Sequence, residues 1–156
     1  MTAEAVERLD TIDALVIRDA NPRDLEAVIA LLRQSALPDT GVREAFASFL
    51  VATRNDRIVG SCGLESYGAD GLLRSVVVAP DERKRGIAQQ LTRLALLRAG
   101  ERGLNHVYLL TTTAPAYFAA LGFEIAARDA APEGIRGSWE FSNGCPSTAT
   151  FMRRAP

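Results

Sequence analysis

Apolar residues recur along this chain with two alternating periods, and the switches between them outline the elements. Ala14-Leu15-Val16-Ile17-Arg18 reads as a short strand. Asn21-Pro22 then opens a helix, with Asn at the cap, Pro at the first helical position and Asp24 in the first turn. Leu25, Val28, Ile29 and Leu32 fall at helical spacing and give that helix one apolar face. Leu37-Pro38-Asp39-Thr40-Gly41 is a loop by its turn residues, and a short helix is expected near Val42–Ala47. Phe49–Thr53 is a strand, Asn55-Asp56 turns it, and Arg57–Glu65 returns as a hairpin partner. Leu72–Val78 is almost wholly apolar, the pattern of a strand covered on both faces. The longest helix is expected from about Lys84 to Gly100, with Ile87, Leu91, Leu94 and Ala95 on one side. His106–Thr112 follows as a strand, Pro115–Leu121 as a short helix, and Phe123–Arg128 and Ser147–Arg153 as the last two strands. The order βααβββαβαββ predicts an α+β domain, an α/β sandwich with a mixed sheet and helices on both faces.

Length and composition narrow the function classes. The 156 residues are enough for one domain with a real core, and neither a repeat nor a linker divides them. Residues 1–12 read as a polar tail before a single domain over residues 13–156. A formal net charge of -1, from 18 basic and 19 acidic residues, argues against a generally basic nucleic-acid binder. No apolar run reaches the roughly 18 residues of a membrane span, and no basic, apolar leader begins the chain, so a cytoplasmic protein is expected. Two cysteines, Cys62 and Cys145, and one histidine, His106, offer no metal-ligand spacing, so no metal is expected. Both cysteines read as packing residues, as does His106.

The segment Val76-Val77-Val78-Ala79-Pro80-Asp81-Glu82-Arg83-Lys84-Arg85-Gly86-Ile87-Ala88 carries the chemistry. It joins a buried strand to the start of the longest helix, where three cations oppose the helix dipole. A bound anion would reverse that term, and Gly86 and Ala88 are small enough to let backbone amides approach one. Two readings therefore stand side by side: a phosphate cradle and a solvated basic turn. The chain has neither G-x-x-x-x-G-K-[ST] nor G-x-G-x-x-G, which disfavours P-loop and Rossmann nucleotide sites.

Arg83-x-x-Gly86-x-Ala88 after Val78-x-Pro80 resembles the acyl-CoA signature of the GNAT superfamily of N-acetyltransferases, and the order of elements resembles that fold from Ala14 to Arg154. Gly63-Leu64-Glu65, Leu72-Leu73-Arg74-Ser75 and the run Leu109 to Phe118 resemble the bacterial arsenic-resistance N-acetyltransferases. Phe141-Ser142-Asn143-Gly144-Cys145-Pro146 adds to that likeness. The Leu-Thr-Thr and Phe-x-x-x-Gly-Phe elements also resemble the acetyltransferase domain of N-acetylglutamate synthases. The resemblance implies a mostly antiparallel sheet whose fourth and fifth strands splay apart at a bulge. It implies acetyl-CoA as cosubstrate, with Val76, Val77 and Val78 along the pantetheine arm and Arg83, Lys84, Arg85, Gly86, Ile87 and Ala88 around the pyrophosphate. Thr111 stands where many relatives carry a pantetheine-binding Asn.

The implied reaction is attack of a neutral amine on the acetyl thioester. Glu65, at the end of the strand before the CoA strand, is the candidate base; the competing reading is a surface carboxylate. Phe118 occupies the position where many relatives carry a general-acid Tyr, so Tyr117 next to it becomes the candidate acid, against simple packing of its ring. Arg74, the one cation in an apolar strand, is either a clamp for an acidic acceptor or one half of an internal ion pair. Ser75 and the loop from Leu37 complete the acceptor side. The acceptor expected from this set is a small glutamate-like amine, with an arsenical or phosphinic analogue as a variant. Glutamate itself, a polyamine, a peptide or a drug amine, and an acyl-CoA-binding regulatory module without turnover, are the alternatives. A homodimer is compatible with the fold, and no membrane or nucleic-acid partner is expected.

Overall fold

The computed structural model describes residues 14–144 and 148–156. The expected tail and Cys145 lie outside the described residues. The chain begins with β1 (Leu15–Asp19), a 3-10 turn over Pro22–Asp24 and helix α1 (Leu25–Gln34). Asp24 fixes this entry: its carboxylate accepts the Asn21 N–H at 2.8 Å and pairs with Arg18 at 2.7 Å. Val28, Ile29, Leu31 and Leu32 are the buried face of α1. A short α2 (Val42–Ala45) leads to the hairpin β2 (Phe49–Arg54) and β3 (Arg57–Tyr67). Asn55 and Asp56 both take positive φ at the tip, the backbone that a two-residue hairpin turn requires.

Then come β4 (Asp70–Val78), α3 (Ile87–Glu101), β5 (His106–Thr111), α4 (Pro115–Ala120), β6 (Glu124–Ile125), α5 (Glu133–Arg136) and β7 (Thr150–Arg154). One seven-stranded sheet results, in the order β1-β2-β3-β4-β5-β7-β6. Only β4 and β5 run parallel. Successive strand residues alternate faces, and the two faces carry different helices. On one, Cys62 donates to the Leu91 carbonyl of α3, and a Cβ at Gly60 would meet Ile87 and Leu91. On the other, Arg74 meets the loop after α1, and Tyr67 packs beside Gly134 of α5.

Three departures from expectation have local causes. Helix α3 begins at Ile87 rather than Lys84, because Lys84 (φ +66°) and Gly86 (φ +79°) hold the preceding turn in left-handed conformations no helix can include. The strand expected over Phe123–Arg128 shrinks to Glu124–Ile125 at the sheet edge. Between β6 and β7 the chain folds back in short helical turns, and Ile135 of α5 closes a second cluster with Leu72, Tyr108, Ala131 and Phe151. Phe141 joins that cluster edge-on to Phe151, and Trp139 lies outside the strands and is 38% exposed.

The feature that creates a site is the divergence of β4 from β5. Their pairing covers Asp70–His106, Gly71–Val107 and Leu72–Tyr108. Beyond Leu72 the strands separate. The cause sits in β4: Ser61 pairs with Val77 but Gly63 pairs with Arg74, so one extra residue of β4 bulges opposite Cys62. Ser75 takes the strain of that bulge at φ +56°.

Candidate active site

The gap between the separated strands is a cleft of about 760 Å³. Its walls are β4 from Leu73 to Val78, the segment from Leu109 to Ala114 with Tyr117 and Phe118 of α4, and the loop Ser35–Pro38. At one end lies the turn before α3, where Arg83, Lys84, Gly86, Ile87, Ala88 and Gln89 line the opening. At the other lie Arg74 and Glu140. Arg74 precedes Val78 by four residues of strand, roughly 13 Å at about 3.3 Å each, so the two ends are well separated.

The turn before α3 has features that could hold an anion. A helix leaves its first N–H groups without intrahelical acceptors and concentrates positive potential there. In α3 those groups follow a left-handed Gly86, at which a Cβ would meet nothing within 4 Å. The basic side chains do not all point in. The Arg83 guanidinium donates to the Val78 carbonyl and the Ser35 hydroxyl, both at 3.2 Å, and so ties β4 to the end of α1. Arg85 pairs with Glu82 at 3.5 Å, is exposed, and does not line the cleft. Glu82 itself is buried against Arg54, 3.1 Å away. Of the three basic residues, Arg83 and Lys84 therefore line the cleft beside the first amides of α3 and Arg85 does not.

Midway along the cleft, Thr111 accepts the Ala114 N–H at 3.0 Å and lines the wall, which leaves its hydroxyl proton for another acceptor. Phe118 is buried, edge-on to Tyr117 and Phe123 with ring centroids 5.3 and 5.9 Å away. The position that carries an acid in many relatives is thus a packing ring here. Tyr117 lines the cleft with its side chain partly exposed, and partial burial lifts its phenol above the usual value. Its hydroxyl accordingly holds its proton at neutral pH.

At the far end Arg74 is buried, and its guanidinium is already engaged. It donates from Nε to Ser75 Oγ (3.1 Å), from Nη1 to Glu65 (3.2 Å) and from Nη2 to the Thr40 carbonyl (2.7 Å), and Nη2 lies 3.3 Å from Glu140. Of the two readings of Arg74, the structure displays the internal ion pair. Glu65 sits behind Arg74, accepts the Tyr67 hydroxyl at 2.9 Å, and does not line the cleft. With one oxygen on the Arg74 guanidinium and the other on the Tyr67 phenol, Glu65 is turned away from the space where a substrate amine would sit. The bulge at Ser75 brings adjacent residues 74 and 75 to the same cavity, which an unbroken strand would not do. Leu37 lines the opposite wall.

Sequence reading missed Glu140, a buried carboxylate in the helical turn Glu140–Gly144. No periodic signal flags a five-residue turn. Among the described residues no group of three or more His, Cys, Asp and Glu could hold a metal ion, and no helix is long and apolar enough to cross a membrane. Cys62 is fully enclosed, and burial pushes its thiol up to about 12.

Comparisons with known proteins bear on this arrangement. The family profile described as Acetyltransferase (GNAT) domain matches residues 45–125, just over half the chain. An uncharacterized N-acetyltransferase of Chlorobaculum tepidum is 27% identical over 104 residues, 66% of this chain and 64% of that protein. Among solved structures, N-acetylglutamate synthase from Neisseria gonorrhoeae, complexed with coenzyme A and N-acetyl-glutamate, superposes with a TM-score of 0.79 at 19% identity. That match covers 91% of this chain and 35% of the synthase. A Mycobacterium tuberculosis protein in complex with CoA and NLQ gives 0.73 at 23% identity, over 90% of this chain and 99% of that one. The ribosomal-protein-S18-alanine N-acetyltransferase from Escherichia coli gives 0.69 at 19% identity, over 91% and 94%. At these identities the structures share the fold with this chain.

Proposed function

The chain belongs to the GNAT acetyltransferase family, and from that premise we propose that its cleft binds acetyl-CoA and transfers the acetyl group to the primary amine of a small acceptor. The observation that carries this reading is the pairing of a left-handed turn at the start of α3 with a strand that leaves its neighbour at the adjoining cleft. The diphosphate would rest on the amides of Gly86, Ile87 and Ala88, flanked by Lys84 and Arg83. The pantetheine arm would lie along Val76, Val77 and Val78, whose main chain is free of β5 beyond Leu72, with the Thr111 hydroxyl within the same wall. The thioester would then face Tyr117 on one side and Arg74, Ser75 and Leu37 on the other.

The chemistry asks little of the side chains. The acceptor must reach the thioester as a free amine, since an ammonium has no lone pair; a peptide α-amine titrates at about 8. The developing oxyanion would be met by a strand amide near Val78. The leaving thiolate has a pKa of about 8.5 and needs little help. Tyr117, on the cleft wall, would give it a proton. Holding two substrates in one cleft supplies much of the acceleration.

The acceptor end supports two readings. Arg74 and Ser75 at the cleft wall support a glutamate-like acceptor or an arsenical or phosphinic analogue, in line with the resemblance in sequence. Glu140 on Arg74 supports an amine without an acidic group. Both are tested by measuring free CoA released from acetyl-CoA across an amine panel. Amine-dependent release supports acetyl transfer. Binding of CoA with no release for any amine would reduce the protein to an acyl-CoA-binding module.

A further inference from the structure

The charge balance at the acceptor end is unequal. Among the described residues, Arg74 lies between two carboxylates, Glu65 at 3.2 Å and Glu140 at 3.3 Å, and all three side chains are at most 18% exposed. The remaining charged residues of the cleft lining, Glu82, Arg83 and Lys84, belong to the phosphate end. The Arg74 donors are distributed over Ser75, Glu65, Thr40 and Glu140. Gly41 closes over Nη1, where even a Cβ would stand 3.1 Å away. Of the two carboxylates, Glu140 alone lines the cleft. An incoming carboxylate therefore has to displace Glu140 from Arg74, or stand beside two buried negative charges. An incoming neutral amine brings no negative charge against them.

We propose that Glu140 selects the acceptor: seated on Arg74, it admits amines that carry no carboxylate beside the reacting nitrogen and turns acidic ones away. This rests on the acetyl-transfer reading above and assigns its acceptor class, with peptide-like α-amines and polyamines as the fitting chemistry. Glu140 acts here by occupying the site that a substrate carboxylate would take. Removing its charge while keeping its shape should hand Arg74 to the substrate.

The test uses the full chain, acetyl-CoA and matched acceptors differing only in the carboxylate: L-alanine with L-alaninamide and L-glutamate with its diamide, plus spermidine. Free CoA release gives kcat/KM for each. The wild type should favour each amide over its acid by roughly 10- to 100-fold, the scale on which like-charge juxtaposition discriminates. Glu140→Gln should shrink that ratio at least about tenfold by raising turnover of the acids, and Glu140→Asp, which keeps the charge, should retain it. Acetyl-CoA affinity, measured by calorimetry, reports whether each variant is folded. Every ratio is taken on the concentration of free amine, because an amide's α-amine titrates lower than the amino acid's, and if the Gln variant does not fold, Glu140→Ala takes its place. Wild-type preference for an acid over its amide, or an unchanged ratio in a folded Glu140→Gln variant, overturns the assignment. Absence of release with every amine, despite bound acetyl-CoA, overturns the transfer reading and the selection with it.

Discussion

Gly86→Ala separates the work of a glycine in folding from its work in binding. Two glycines bracket α3 in left-handed conformations, Gly86 at φ +79° and Gly103 at φ +71°, and a Cβ at either meets no heavy atom within 4 Å. The substitution therefore adds no clash at either site. It adds left-handed strain of about 1–2 kcal/mol, offset by about 0.4–1 kcal/mol of lost freedom in the unfolded chain. Both variants should lose about 1 kcal/mol in urea unfolding followed by circular dichroism. Only Gly86 orders the amides proposed to hold the diphosphate. If the added methyl group relaxes the turn and costs one charge-assisted hydrogen bond, about 1.5–3 kcal/mol, CoA affinity falls roughly 10- to 100-fold. At a CoA concentration 100 times the wild-type Kd, the ligand stabilises the wild type by about 2.7 kcal/mol and a 100-fold weaker variant by about 0.4 kcal/mol. Gly103→Ala should keep the full ligand stabilisation. A Gly86→Ala protein with wild-type CoA affinity, or equal weakening by Gly103→Ala, would refute the reasoning.

Other consequences are as direct. Tyr117→Phe should lower kcat about tenfold with little change in acetyl-CoA binding. It should also abolish an alkaline fall in rate that burial displaces above the ordinary phenol range. Arg74→Met leaves Glu65 and Glu140 buried without their cation, and urea unfolding should show a loss of about 3–5 kcal/mol, partly recovered by adding Glu140→Gln. The Asp24 carboxyl is held below the usual carboxylate range by hydrogen bonding to Arg18, so its stabilisation is present above about pH 4 and disappears as pH falls through its lower folded value. The stability gap between wild type and Asp24→Asn should therefore narrow as pH falls below about 4, the ordinary carboxylate value; a constant gap would discard that role.

Elements whose physics is local were legible in the sequence. The amphipathic α1, the Asn55-Asp56 hairpin, the doubly covered β4 and the GNAT signature each lie within a few consecutive residues. The start of α3 was misplaced because Arg83-Lys84-Arg85 has ordinary helix-forming side chains, and the positive φ at Lys84 comes from the turn's tertiary setting. Ser75 hides its bulge in the same way, since a serine in the left-handed region is not announced by its type. Glu65 and Arg74 were assigned separately, and only the β3–β4 register, which sets Gly63 against Arg74 and Glu65 against Leu72, makes them diagonal neighbours. Glu140 reaches them from 66 positions beyond Arg74, in a turn too short to have a period.

The central claim is that the α3 turn and the splayed strands form one coenzyme site, and a crystal structure of the protein with CoA tests it most directly. The diphosphate should sit within hydrogen-bonding distance of the Gly86, Ile87 and Ala88 amides, with the thiol between β4 and β5 near Tyr117. CoA bound with its diphosphate elsewhere, or a cleft that CoA fails to enter, would contradict the account.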